Sequence, residues 1–176
     1  MNIQLPFTKE AIQKLKAGDT VTVSGVMYTA RDAAHKRMTE ALLAGQPLPF
    51  DICGQTIYYA GPCPAKPGAI IGSCGPTTSC RMDAYTPTLL DLGLIAMIGK
   101  GNRSQEVVAS LRKNGAIYLG AIGGAGALYA DAIKQVDVIA YEDLGPESVK
   151  RLVVENMPLT VIIDVYGNNL YESAKL

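Results

Sequence analysis

Histidine is almost absent: His35 is the only one in 176 residues, and none of the four cysteines (Cys53, Cys63, Cys74, Cys80) forms a C-x-x-C pair with another. Zinc sites are normally written as tight ligand pairs, and iron–sulfur sites draw on several clustered thiolates. This spacing argues against a metal site completed within the chain, and predicts cysteines that serve as small buried hydrophobes. Net charge is missing as well. The 16 basic residues balance 16 acidic ones, so there is no global field to draw nucleic acid or an anionic membrane. No apolar run approaches the roughly 18 residues that span a bilayer. The opening "MNIQLPFTKEAIQKLKAGD" lacks a signal-peptide core, so the reading is of a cytoplasmic chain with neither nucleic acid nor membrane as partner.

What is plentiful is apolar surface. The hydrophobic fraction is 48% against 18% charged, which predicts a filled core and apolar surface covered by a partner. The length predicts one domain over residues 1–176, burying roughly two thirds of the surface its unfolded chain would expose.

"NIQLPF" reads as a short strand, followed by a Thr8-capped helix "KEAIQKLKAG" closed by Gly18. "DTVTVSGVMYTA" alternates as a half-buried strand with a glycine interruption, and "RDAAHKRMTEALLAG" is an amphipathic helix. Short β pieces, "TIYYAG" and "GAIIGS", fit the Gly- and Pro-rich stretch that follows. A helix is predicted from about Thr78 to Leu92, kinked or broken at Pro87. "LIAMIGKG" is an apolar strand, "SQEVVASLRKNG" a helix between a Ser104 cap and a Gly115 stop, and "AIYLGAIGGAGALYADAI" strand, glycine turn and helix. "VDVIAYED", "SVKRLVVEN" and "LTVIIDVYGNNLYE" read as three further strands, the last turning at Gly167-Asn168-Asn169. Helices alternate with strands in the middle and β pieces dominate near both ends. The class is α/β with mixed pairing.

Two phosphate-binding templates fail. "GAIGGAGA" follows a strand and opens a helix, but it lacks the G-x-G-x-x-G register and a following Walker lysine. A close strand-to-helix turn is the better reading. The informative pattern is cationic. Arg31 stands where a strand gives way to a helix, Arg81 in the first turn after "GPTT", and Lys100 at the end of an apolar strand with Arg103 just beyond. Strand ends and the helix starts that follow them form the usual ligand crevice of α/β sheets. A cation at a helix start is disfavoured by the helix dipole unless it is held for an anion. The plainer alternative is local ion pairing, Arg31 with Asp32 or Arg81 with Asp83. Converging arginine forks would suit a small dicarboxylate. Thr77 adds a hydroxyl there, its alternative role being a helix cap. His35, one turn from Arg31, reads as a helix-surface residue or one standing behind the contacts.

Together, "GDTVTVSGVMYTARDAAHKRM", "GQTIYYAGP", "GSCGPTTSCRMD", "IGKGNRS" and "IGGAGAL" resemble, in this order, the beta subunit of class I, iron–sulfur-dependent fumarate hydratase. The L(+)-tartrate dehydratase beta subunit belongs to the same family. The resemblance runs over residues of about 18–172. It implies a swivelling β/β/α domain with a mixed sheet and flanking helices. It also implies a [4Fe–4S] cluster ligated by a partner alpha subunit, with no metal ligand on this chain. By motif, the resemblance places Arg31, Arg81 and Lys100 as substrate-binding residues and Thr77 as the candidate for proton transfer. The implied activity is reversible hydration of fumarate to (S)-malate in a site completed by the alpha subunit. L(+)-tartrate dehydration to oxaloacetate is the alternative within the family, and a non-catalytic anion-binding or interaction domain the alternative outside it.

Overall fold

The computed structural model describes residues 1–173. In chain order its elements are β1 (Asn2–Gln4), α1 (Lys9–Ile12), β2 (Thr20–Thr29), α2 (Asp32–Leu43), β3 (Thr56–Tyr58), α3 (Thr86–Asp91) and β4 (Ala96–Gly99). Then come α4 (Gln105–Asn114), β5 (Ile117–Gly120), α5 (Gly126–Ala132), β6 (Ile133–Ala140), β7 (Val149–Ile163) and α6 (Leu170–Ser173).

β3, β4 and β5 are short apolar runs buried on both faces, as central parallel strands must be. Their side chains alternate between two cores. Tyr58, Ala96, Ile98, Ile117 and Leu119 meet Val21, Val23, Met27 and Leu152 on one face. Ile57, Tyr59, Met97 and Tyr118 meet Met38, Leu89, Val107 and Leu111 of the helices on the other. The parallel strands thus contribute side chains to two cores, the second of them shared with α2, α3 and α4. β1 to β5 pair in parallel, while β7 runs antiparallel to β5, β6 and β2. Pairing from β2 through β3, β4, β5 and β7 returns to β2. The class is mixed α/β with a mixed sheet.

Several elements depart from the sequence expectations. Residues 149–163 form one strand rather than two, because β2 pairs with it on either side of a bulge at Glu155 and Asn156, where Asn156 (φ 50°) donates its N–H to Ser24 Oγ at 2.9 Å. β6 starts at Ile133, straight out of α5, rather than at Val136. "GAIIGS" is loop: among the described strands none offers it an edge, and a side chain at Gly72 would collide with the Cys63 and Pro64 carbonyls. α1 ends at Ile12, and Gly18 (φ +99°) instead leads the chain into β2 by donating its N–H to the Val161 carbonyl. The helix expected over 78–92 is a single 3-10 turn, Ser79–Met82, followed by the separate helix α3. Pro87 lies in the first turn of α3, where its missing N–H costs nothing. After the Gly167 turn the chain forms α6 rather than strand.

Candidate functional site

Because β2, β3 and β4 are parallel, their C-terminal ends share one edge of the sheet, and all four residues singled out by the sequence lie along it. Arg31 leaves β2 as the N-cap residue of α2, Lys100 follows β4, and the 76–82 segment lies across the ends of β3 and β4. That segment is pinned by the bridges Ala60↔Pro76 and Thr78↔Lys100. Thr77 N–H donates to the Tyr59 carbonyl at 2.7 Å, and Ser79 N–H to the Lys100 carbonyl at 2.9 Å. Such close approach requires glycine on the strand: a Cβ at Gly99 would collide with Ser79 Oγ.

Arg31 and Arg81 meet at Asp32. Arg81 Nε donates to Asp32 Oδ1 at 2.7 Å, leaving a side chain that is 51% exposed. Arg31 Nε lies 3.8 Å from Asp32 Oδ2 and 3.7 Å from Glu147 Oε1, within ion-pair range of both and hydrogen-bonded to neither. Its guanidinium lies over Gly61, where a Cβ would stand 2.8 Å from Nη1. The Lys100 stem extends over the glycine turn after β5, with Nζ 3.7 Å from a Cβ position at Gly123. Among the described residues no carboxylate stands within 4.0 Å of Lys100 Nζ.

Four buried side-chain atoms among the described residues lack a hydrogen-bond partner, and three belong to this corner: Arg31 Nε, Asp32 Oδ2 and His35 Nε2. Buried polar groups are nearly always satisfied, so three such atoms within five residues single this corner out as a candidate site. Arginine offers several further donors in a planar fork suited to a carboxylate.

His35 is fully buried rather than on the helix surface. Its Nδ1 donates to the Arg31 carbonyl at 2.8 Å, and its ring sits edge-on to Tyr59. Burial pushes its pKa down to about 4, against the smaller raising effect of that hydrogen bond. The imidazole is therefore neutral, a support for the backbone beneath Arg31. Thr77 is not a helix cap: Thr78 holds that position and makes no side-chain cap bond.

Of the two expected local ion pairs, Arg31 with Asp32 is present at 3.8 Å, while Arg81 with Asp83 is exchanged. Arg81 takes Asp32, whereas Asp83 accepts from Arg103 Nε at 2.6 Å. Glu147, which no local signal marked, reaches the Ala33 N–H at the start of α2. Its turn is laced by Lys150, whose Nζ donates to Ser148 Oγ at 2.7 Å and to the Pro146 carbonyl at 3.1 Å.

The cysteines correct one expectation. Only Cys74 is buried; Cys53, Cys63 and Cys80 are exposed on loops and a 3-10 turn. Cys53 precedes β3 while the other three follow it. Among the described residues no three of His, Cys, Asp and Glu group as metal ligands, and no helix is long and apolar enough to cross a membrane.

Fold and cluster together define a mixed α/β domain with cationic groups gathered along the C-terminal edge of its parallel strands. By sequence comparison the chain belongs to the fumarase C-terminus family, whose model matches residues 1–174. It is 40% identical over 174 residues to mitochondrial fumarate hydratase 1 of Leishmania major, covering 98% of this chain and 32% of that protein. Against the anaerobic class I fumarate hydratase of Escherichia coli it is 40% identical over 154 residues, 86% of this chain and 28% of the other. A putative L(+)-tartrate dehydratase subunit beta of Methanocaldococcus jannaschii is 41% identical over 171 residues, 94% of this chain and 88% of that one. The chain thus spans about a third or less of these fumarate hydratases but nearly all of the tartrate dehydratase subunit.

Proposed function

We propose that the chain is the beta subunit of a fumarase-type iron–sulfur hydro-lyase, interconverting fumarate and (S)-malate in a site completed by an alpha subunit. The observation that carries this reading is the pair of arginines from separate elements, gathered at Asp32 with the Arg31 Nε unsatisfied. Arg31 and Arg81 would bind the two carboxylates of a small dicarboxylate through planar forks. Lys100, uncommitted to any acid among the described residues, would stabilise the negative charge that builds on the substrate as its C–H proton leaves. Thr77 would place a hydroxyl beside that proton. Threonine alone is far too weak a base near neutral pH, so it would need a carboxylate supplied by the partner.

This chain's cysteines do not fit a [4Fe–4S] cluster, so the cluster and its Lewis acidity belong, in this reading, to the alpha partner. The span of the chain within its relatives supports a missing portion: the named fumarate hydratases carry about two thirds or more of their length outside the matched region. The same reading takes the domain as a single cytoplasmic unit of the swivelling β/β/α type, a fold for which the mixed sheet and its two cores are the support. L(+)-tartrate dehydration is the second reading, favoured by one observation: the tartrate dehydratase subunit is a separate chain of nearly this extent. The deciding experiment assembles the chain with its cluster-loaded partner and compares turnover of fumarate, (S)-malate, mesaconate and L(+)-tartrate. Preference for fumarate and malate supports the first reading and preference for tartrate the second. An assembled, loaded complex that turns over none of them leaves an anion-binding domain.

A further inference from the structure

The segment bearing Thr77 and Arg81 has little regular structure of its own. It contains one 3-10 turn of four residues and two isolated bridges, and a turn that short does not fix its own orientation. Backbone bonds hold the segment's first half, at Thr77 and Ser79, and a lateral bracket centred on Arg103 holds the half beyond Arg81. This guanidinium, its side chain fully buried, donates through Nε to Asp83 Oδ1 at 2.6 Å and through Nη2 to Thr86 Oγ1 at 2.7 Å. Asp83 Oδ2 accepts from the Ser104 N–H at 2.7 Å, and Thr86 Oγ1 donates on to the Met82 carbonyl at 2.9 Å. The rings of Tyr59 and Tyr118 stand 5.3 and 5.0 Å from the guanidinium carbon. Burial opposes its charge, but Tyr59 and Asp83 outweigh that and keep it protonated.

Asp83 lies two residues beyond Arg81, and Arg103 three beyond Lys100. The bracket therefore ties the segment carrying Arg81 to the loop carrying Lys100. A buried ion pair is a poor device for stability, since well-packed apolar residues of similar volume often do as well or better. What apolar packing lacks is direction. A fork that must meet Asp83 and Thr86 together fixes both distance and angle. Catalysis is sensitive to this, because misplacing a group by about 1 Å can lower a rate about a hundredfold.

We infer that Arg103, acting through Asp83, is a positioning residue that sets Arg81 against Lys100 in the site. The inference rests on the reading that Arg81 and Lys100 handle substrate. Its test is a set of variant cycles in the assembled alpha–beta complex, with fumarate and L(+)-tartrate as parallel probes. Asp83→Asn keeps the shape and an acceptor for Ser104 but removes the charge. It should lower kcat/KM about tenfold or more in the otherwise unchanged complex. In an Arg81→Ala background, where no fork remains to be placed, the further loss should be under about threefold. In an Arg31→Ala background, on a different element, the full loss should persist. Arg103→Lys should behave as Asp83→Asn does, because an ammonium cannot reproduce the fork; it serves as the second probe if one variant assembles poorly. Equal losses in all three backgrounds, or no loss in any, would overturn the assignment. If Arg81→Ala and Lys100→Ala are themselves without effect, it is the functional reading that has failed, whatever Asp83→Asn does.

Discussion

Arg81 reaches across 49 positions of the chain to donate to Asp32, the residue directly after Arg31. One carboxylate therefore gathers two arginines without exhausting either. If each arginine holds a substrate carboxylate, replacing one with alanine removes a charge-assisted hydrogen bond of about 1.5–3 kcal/mol. In the assembled complex kcat/KM should fall about tenfold or more, with only partial rescue by lysine. Steady-state kinetics of Arg31→Ala and Arg81→Ala check this, and near-normal values for both would remove them from the site.

The cysteines should separate by reactivity. Burial pushes the Cys74 thiol up to about 12, so it stays protonated and shielded, while Cys53, Cys63 and Cys80 are exposed. Alkylation of the folded chain followed by mass spectrometry should label those three and spare Cys74. Single alanine or serine replacements should leave the iron content of the assembled complex unchanged, and Cys74→Ala should cost about 1 kcal/mol of packing. Iron lost from a variant that still folds and assembles would place a cluster ligand on this chain.

Acid should weaken the fold through His35. Its folded pKa of about 4 lies below the unfolded value, so the unfolded chain binds the proton first. The stabilising contribution is complete above about pH 6.5 and is lost as pH falls toward 4, amounting to about 3 kcal/mol. Neighbouring Asp32 favours the imidazolium and Arg103 opposes it. Urea unfolding across this range should steepen with acid in the parent chain and flatten in His35→Gln. Equal slopes would mean that the imidazole is already charged in the fold.

Alone, even anaerobically with iron and sulfide supplied, the chain should be folded, colourless and unable to hydrate fumarate. It offers carboxylate-binding groups and a hydroxyl, but no electrophile for the departing hydroxide and no companion acid for Thr77. A cluster-loaded alpha subunit should restore turnover, with a titration endpoint at one chain of each. Strong fumarase activity in the lone, metal-free chain would overturn the mechanism.

Local chemistry was legible where it acts locally. Ser104 caps α4 by accepting from the Val107 N–H, and Gly115 closes it at φ +61°. The interruption at Gly25 is a bulge in the pairing of β2 with β7, at φ +125°. The positions of Arg31 and Lys100 at strand ends followed from the alternation of strands and helices, whereas Thr77 and Arg81, expected at the start of a helix, lie on a segment with a single 3-10 turn. Their partners did not follow. Nearest acids in sequence suggested Arg31–Asp32, which the structure keeps, and Arg81–Asp83, whereas Asp83 is taken by Arg103, 20 positions away. Glu147 reaches the start of α2 from 114 positions along the chain, for which no periodicity speaks. The Glu155-Asn156 pair, turn-like by residue type, does not end the strand because β2 pairs on both sides of it, at Val154 and at Met157.

The place of β7 in the sheet sets the order in which the molecule can come into being. It pairs with β2, β5 and β6, yet among the described strands it comes last in chain order. Lys150 N–H bonds Thr29 Oγ1 across 121 positions, so the early β2 waits for most of the chain before its antiparallel partner exists. Closure entropy falls due before those contacts reward it, which places folding toward the slow, millisecond-to-second end for domains of this size. Until then the apolar faces of β2 and β5 stand uncovered, and a nascent or truncated chain ending before Val149 would expose a ready edge for aggregation.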